Sequence, residues 1–169
     1  GGSVRLGPLT ATSGTNGMAA IATVNYVGTP LTSLTSLSYA SFQPGPTLAP
    51  ALQFDIKYRP TDSAYGGRLV FEPYQNGAVT VGSGWQTWFP LAGKWWASKT
   101  SAAGSNGLCP QSSPCTWNDI LTAFPSAQIS GALLLKAGSN WLGFDGNADA
   151  LTVGVNGADT TFDFEPETG

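Results

Sequence analysis

Apolar and polar residues alternate over short runs of this chain, and turn-forming residues interrupt the runs at close intervals. Leu52, Phe54 and Ile56 alternate with Gln53, Asp55 and Lys57, the two-residue period of a strand that lays one face on a core. Phe162 and Phe164 alternate with Asp163 and Glu165 in the same way. Runs of this kind predict strands at Val4–Thr10, Ala19–Tyr26, Ser36–Ser41, Ala51–Tyr58, Arg68–Pro73, Trp85–Phe89, Gln128–Lys136, Ala150–Val155 and Thr161–Phe164. Gly, Pro, Asn and Ser fill the gaps, and Thr61–Gly67 reads as a turn-rich connection.

A helical period stands out once. Thr116-Trp117-Asn118-Asp119 has the hydroxyl-x-x-acid spacing that caps a first turn, with Asp119 at the positive end of the dipole. Ile120, Leu121 and Phe124 then share one face, and Pro125 stops the helix. This predicts one short helix near residues 117–124 that plugs an end or edge of a sheet. Many strands, a single helix and polar loops imply an all-β, two-sheet antiparallel sandwich, jelly-roll-like, with residues 1–169 forming one domain. A parallel β-helix is the architectural rival, and the chain lacks the fixed repeat it needs.

Charge is scarce. Charged residues are 10% of the 169, with seven Lys and Arg against ten Asp and Glu for a net charge of -3. Solubility then rests on hydroxyls, amides and glycine, and the negative balance argues against nucleic acid or an anionic membrane as partner. No apolar run approaches the eighteen or so residues of a membrane span. Cys109 and Cys115 enclose five residues, two of them proline. A loop that short brings its ends within disulfide reach. A metal site is the other reading, and no histidine or third cysteine is present to complete it. A disulfide implies an oxidising compartment, so secretion is expected. The opening Gly1-Gly2-Ser3 has no basic-then-apolar pattern, so any signal peptide would already have been removed.

Residues 84–96 carry Trp85, Trp88, Trp95 and Trp96, four of the six tryptophans, in a chain without histidine. Such a cluster is either core packing or a binding platform. Alternation sets Trp85 and Trp88 on opposite faces, and likewise the adjacent Trp95 and Trp96, so at least one is available to a cleft. Indole rings stack on the C–H faces of sugars, while amides and hydroxyls such as Gln86, Ser139 and Asn140 bond sugar hydroxyls. Trp141, in a Gly- and Asn-rich turn, is an additional candidate; Trp117 belongs with packing at the helix start.

Asp145, Asn147 and Asp149 space three oxygen-bearing side chains at alternate positions. They suit either a structural calcium ion or a turn before a strand, with Asp149 capping backbone amides. The EF-hand pattern does not fit: Ala150 stands where its glycine would, and Asn156 where its glutamate would. No other cofactor is implied. Catalysis has few tools here. Serine nucleophiles have no histidine base, and no phosphate-binding glycine loop occurs. If the chain is an enzyme, Glu72 is the leading group, beside Phe71 and Tyr74; its non-catalytic reading is an ion pair with Arg68 or a loop cap. Tyr74 would be a proton partner, and Asp55, Asp145 or Asp149 a second carboxylate at about 5–10 Å.

The segments Leu37–Tyr39, Ala49–Phe54, Leu69–Pro73, Gly84–Trp88 and Phe144–Gly154 together resemble a group of secreted bacterial β-sandwich domains, similar to carbohydrate-binding, concanavalin-like or jelly-roll modules. The resemblance runs from about Ser36 to Phe164 and includes a Phe-x-Gly-x-x-Asp pattern at Phe144, Gly146 and Asp149. It implies the fold and transfers no catalytic set. The expectation is a secreted module that binds a carbohydrate or cell-surface polymer through an aromatic cleft of Trp85, Trp88, Trp95 and Trp96, assisted by Gln86 and Trp141. The alternatives are a carbohydrate-active enzyme, glycosidase or lyase, and a structural or adhesive surface protein.

Overall fold

The alternation at Leu52, Phe54 and Ile56 places three fully buried side chains on the inner face of one strand, and the same rule builds both sheets. A computed structural model describes residues 2–10 and 17–164; Glu165, expected to point outward, lies outside the described residues. The strands are β1 (Val4–Arg5), β2 (Ala19–Thr23), β3 (Leu34–Gly45), β4 (Ala51–Lys57), β5 (Arg68–Phe71), β6 (Gln86–Trp88), β7 (Lys94–Ala97), β8 (Cys115–Thr116), β9 (Gln128–Ala137), β10 (Asp145–Val155) and β11 (Ala158–Phe162), with one helix, α1 (Trp117–Ala123). One sheet runs β2-β9-β4-β5-β7-β8; the other runs β1-β10-β3-β6, with β11 also paired to β10. The strand pairs are antiparallel, so the molecule is the expected all-β two-sheet sandwich.

The core between the sheets is rich in aromatic rings. Phe54, Trp95 and Trp117 pack with centroids 5.2–6.4 Å apart, and Phe71 bridges Trp95 and Trp88 at 5.8 and 6.4 Å. Interior indole N–H groups need acceptors. Trp95 Nε1 donates to the Pro90 carbonyl at 2.9 Å and Trp88 Nε1 to Ser41 Oγ at 2.9 Å.

The helix forms where its signature stands. Asp119 N–H donates to Thr116 Oγ1 at 3.1 Å, and Thr116 N–H donates to Asp119 Oδ2 at 3.2 Å. This reciprocal cap satisfies two otherwise orphaned donors. Ile120 and Phe124 are buried beneath it, and Cys109–Cys115 form a disulfide just before it.

Three expectations need correction. β7 and β8 were not anticipated, because the Trp95–Trp96 doublet hides alternation and β8 is only two residues long. Only Val4–Arg5 of the run Val4–Thr10 joins a ladder; beyond it Leu6 and Leu9 bond singly to Gly146 and Phe144. Residues 145–149 are strand rather than turn. β10 runs from Asp145, and a register shift lies between Asp149 and Thr152, where Ala150 has φ 51°. That bulge breaks the two-residue period and makes the halves of one strand read as unrelated.

Candidate functional site

Outward side chains of β4, β5, β7 and β9 on the six-stranded sheet form the floor of a cleft. In β5, Leu69 and Phe71 point inward, so Arg68, Val70 and Glu72 point outward. Val70 lies opposite Gln53 of β4 on one side and Trp96 of β7 on the other, giving a row across three strands. A neighbouring row pairs Asp55 with Arg68, and Lys136 of β9 stands opposite Ala51.

Loops raise walls around this floor. Tyr65 comes from the β4–β5 connection, Tyr74 from the turn after β5, Gln111 from the disulfide loop, and Ser139 and Trp141 from the turn after β9; together they enclose about 370 Å³. Gly138 has φ +104°, and a Cβ there would collide with the Gly17 carbonyl. Glycine is therefore what lets the chain leave β9 and fold back over the cleft. Trp141 leans on Phe144 at 5.3 Å between centroids. Gln111 is held by its carbonyl, which accepts from Gln75 Nε2 at 2.9 Å, and by the Cys109–Cys115 bond on either side of its loop.

The polar groups on the floor have distinct electrostatic settings. Arg68 donates through Nε to Asp55 at 3.1 Å and through Nη1 to Gln53 Oε1 at 3.2 Å. Of the non-catalytic readings of Glu72, the ion pair with Arg68 is replaced by these contacts. Glu72 is 7% exposed, and its Oε2 accepts from Trp96 Nε1 at 3.3 Å. Burial raises its pKa above the ordinary carboxylate value, against the weaker opposing pull of that hydrogen bond and of the Lys136 charge. Lys136 is half-buried; burial lowers its pKa, and the Arg68 charge adds to the effect.

The tryptophans separate by facing. Trp95 and Trp88 are 0% and 5% exposed and pack in the core, though the edge of Trp88 lines, with Gln86 and Phe89, a separate open pocket of about 300 Å³. Trp96 and Trp141 line the cleft. Trp85 is 50% exposed and packs on Phe42, a β3 residue of the other sheet, at 6.0 Å. Gln86 fastens the preceding loop, accepting from Thr80 N–H at 2.8 Å and donating to the Ala78 carbonyl at 2.9 Å. Of the candidate catalytic groups, Glu72 and Tyr74 share the cleft. Asp55 sits four residues farther along the sheet than Ala51, roughly 13 Å at strand spacing.

Asp145, Asn147 and Asp149 occupy alternate, outward positions of β10. Asp145 is held by Arg5 through Nε at 2.8 Å and Nη2 at 2.5 Å, which lowers its pKa. Asn147 donates to Ser3 at 2.8 Å, and Asp149 accepts from Ala150 N–H at 2.7 Å. Among the described residues no group of three or more His, Cys, Asp or Glu is arranged to hold a metal ion.

Sequence reasoning did not single out Gln53, Tyr65, Ser98, Gln111 or Lys136 for the cleft. The alternation of β4 marks Gln53 as outward, but sequence does not say which outward face is walled. No helix among the described residues is long and apolar enough to cross a membrane. No protein-family model matches the chain, and no curated protein or solved structure matches it.

Proposed function

We propose that this protein is a secreted binding module that holds a polysaccharide in the cleft on the six-stranded sheet. The observation that carries this reading is the grouping of Trp96, Trp141, Tyr65 and Tyr74 around a floor of Gln53, Arg68, Glu72 and Lys136. Aromatic faces pack on the C–H faces of sugar rings while amide, guanidinium and carboxyl groups bond the hydroxyls. A trough on a rigid sheet suits a chain of sugars passing through. The disulfide supports an oxidising, extracellular setting.

The test is a panel of soluble and insoluble polysaccharides, followed by tryptophan fluorescence on any polymer retained. Saturable binding with an indole shift supports the reading, and silence across the panel removes it.

One observation favours a second reading, a carbohydrate-active enzyme: a buried Glu72 with a raised pKa in the cleft is suited to hold a proton. A two-carboxylate mechanism needs a partner about 5–10 Å away. Asp55 is bound to Arg68 and is not part of the cleft lining that holds Glu72, so the binding reading leads. Release of reducing ends or unsaturated sugars by the wild type, lost in Glu72→Gln with polymer binding kept, would reverse that order.

A further inference from the structure

The cation arrangement narrows the ligand class. Arg5, Arg59 and Arg68 are each paired with a carboxylate, Asp145, Asp62 and Asp55 respectively. Lys136 has no ion-pair partner within the same distance among the described residues, although it lies half-buried in the cleft. Burying an ammonium without a partner is costly, and a second cation in the same cleft adds to the cost. This chain has only seven Lys and Arg and a net charge of -3, yet two of the seven line one 370 Å³ cleft. Arg68 uses Nε and Nη1 on Asp55 and Gln53, and its Nη2 has no hydrogen-bond partner among the described residues. The carboxylates nearby offset this only in part. Asp55 is committed to Arg68, and Glu72 attracts Lys136 without reaching salt-bridge distance.

We propose that the ligand is an acidic polysaccharide, and that Lys136 and Arg68 hold the anionic groups of its sugars. The inference rests on the cleft being the polysaccharide site. Lys136 and Arg68 reach the cleft floor from β9 and β5, the strands on either side of β4, opposite Ala51 and Asp55. Successive units of a charged chain can offer an anionic group to each. Bound anionic groups supply the partner Lys136 lacks, while the aromatic walls pack on the rings between the charges. The overall negative charge makes such binding depend on the cleft, because the rest of the surface repels an acidic polymer.

The experiment uses matched polymers: polygalacturonate against methyl-esterified pectin, dextran sulfate against dextran, with alginate as a second carboxylated chain. Wild type, Lys136→Met, Lys136→Arg and Trp96→Ala are titrated on each. The wild type should prefer a charged polymer to its neutral counterpart by about tenfold or more, the worth of one charge-assisted hydrogen bond. The pectin and dextran pairs decide between carboxylate and sulfate as the anionic group. Lys136→Met should lose that preference and Lys136→Arg should restore most of it. Added salt should weaken the charged polymer alone. Unchanged melting temperatures would show that the outward-facing variants stay folded. Equal affinity of the wild type for charged and neutral members of each pair, or a Lys136→Met variant that keeps the preference, overturns the inference. If a neutral polymer binds through Trp96 without regard to Lys136, the polysaccharide site stands and only the acidic ligand falls. If no polymer binds, both fall.

Discussion

The outer faces of the two sheets come from the same strand chemistry and present opposite surfaces. On the five-stranded sheet outward polar side chains satisfy one another, and the exposed Trp85 packs on Phe42. Ser36 donates to Asp159 at 2.5 Å, Thr152 and Thr161 share a hydrogen bond at 2.8 Å, and Arg5 takes Asp145. On the six-stranded sheet the cleft gathers long polar, charged and aromatic side chains, Gln53, Arg68, Glu72, Trp96 and Lys136. Glu72 and Gln53 are held 6–7% exposed by walls rising around them, and Lys136 is left without a salt bridge among the described residues. A face that closes its own hydrogen bonds needs only water above it. A face that buries polar groups and leaves a cation unpaired is stabilised when something else arrives.

The sharpest way to break this contrast is through the interior both faces share. Trp95→Ala removes a fully buried ring packed on Phe54, Phe71 and Trp117. It should cost about 3–5 kcal/mol, measured by denaturant unfolding, and weaken cleft binding along with it. Next in size is Cys109→Ser with Cys115→Ser. Opening so short a loop should cost about 2 kcal/mol and free Gln111 at the cleft rim, so polymer affinity should fall even where the protein remains folded.

Glu72→Gln tests the electrostatic half of the comparison. Because burial raises the Glu72 pKa above 4.5, the folded protein holds that proton more tightly than the unfolded chain. Stability is therefore lost as pH climbs from the ordinary carboxylate value through the raised one, and none is lost below that window. The variant should melt higher than the wild type near neutral pH and at the same temperature near pH 3. An equal difference at both pH values would place the effect in packing. The smallest effect belongs to the opposite face. Trp85→Ala, half-exposed on Phe42, should change stability by no more than about 0.5 kcal/mol and leave cleft binding untouched.

Much of the fold was legible from local rules. The two-residue period at Leu52–Ile56 and the cap at Thr116–Asp119 need only neighbours in sequence, and both elements form where they were expected. The same rule predicted that Trp95 and Trp96 face opposite ways, although it did not say which way. That choice is made by Phe54 and Phe71, which lie more than twenty residues away along the chain and provide the interior ring stack. The cleft was less legible still. Its floor comes from β4, β5, β7 and β9, and their order in the sheet is set by pairings between distant segments such as Ala51 with Lys136. Lys136 reads in sequence as an ordinary charge at the end of an apolar run, and only the register of β9 brings it beside Gln53 and Glu72. The β10 bulge hid a strand for the complementary reason: one residue with positive φ breaks the period on which local reading depends.

The central claim, that the walled face is a polysaccharide site, is tested most directly by titrating the wild type and Trp96→Ala with the best-retained polymer from the panel, following indole fluorescence and melting both proteins. The account predicts saturable binding by the wild type, a loss of about tenfold or more in affinity for the variant, and closely similar melting temperatures. Equal affinities in two folded proteins would contradict it and return Trp96 to a packing role.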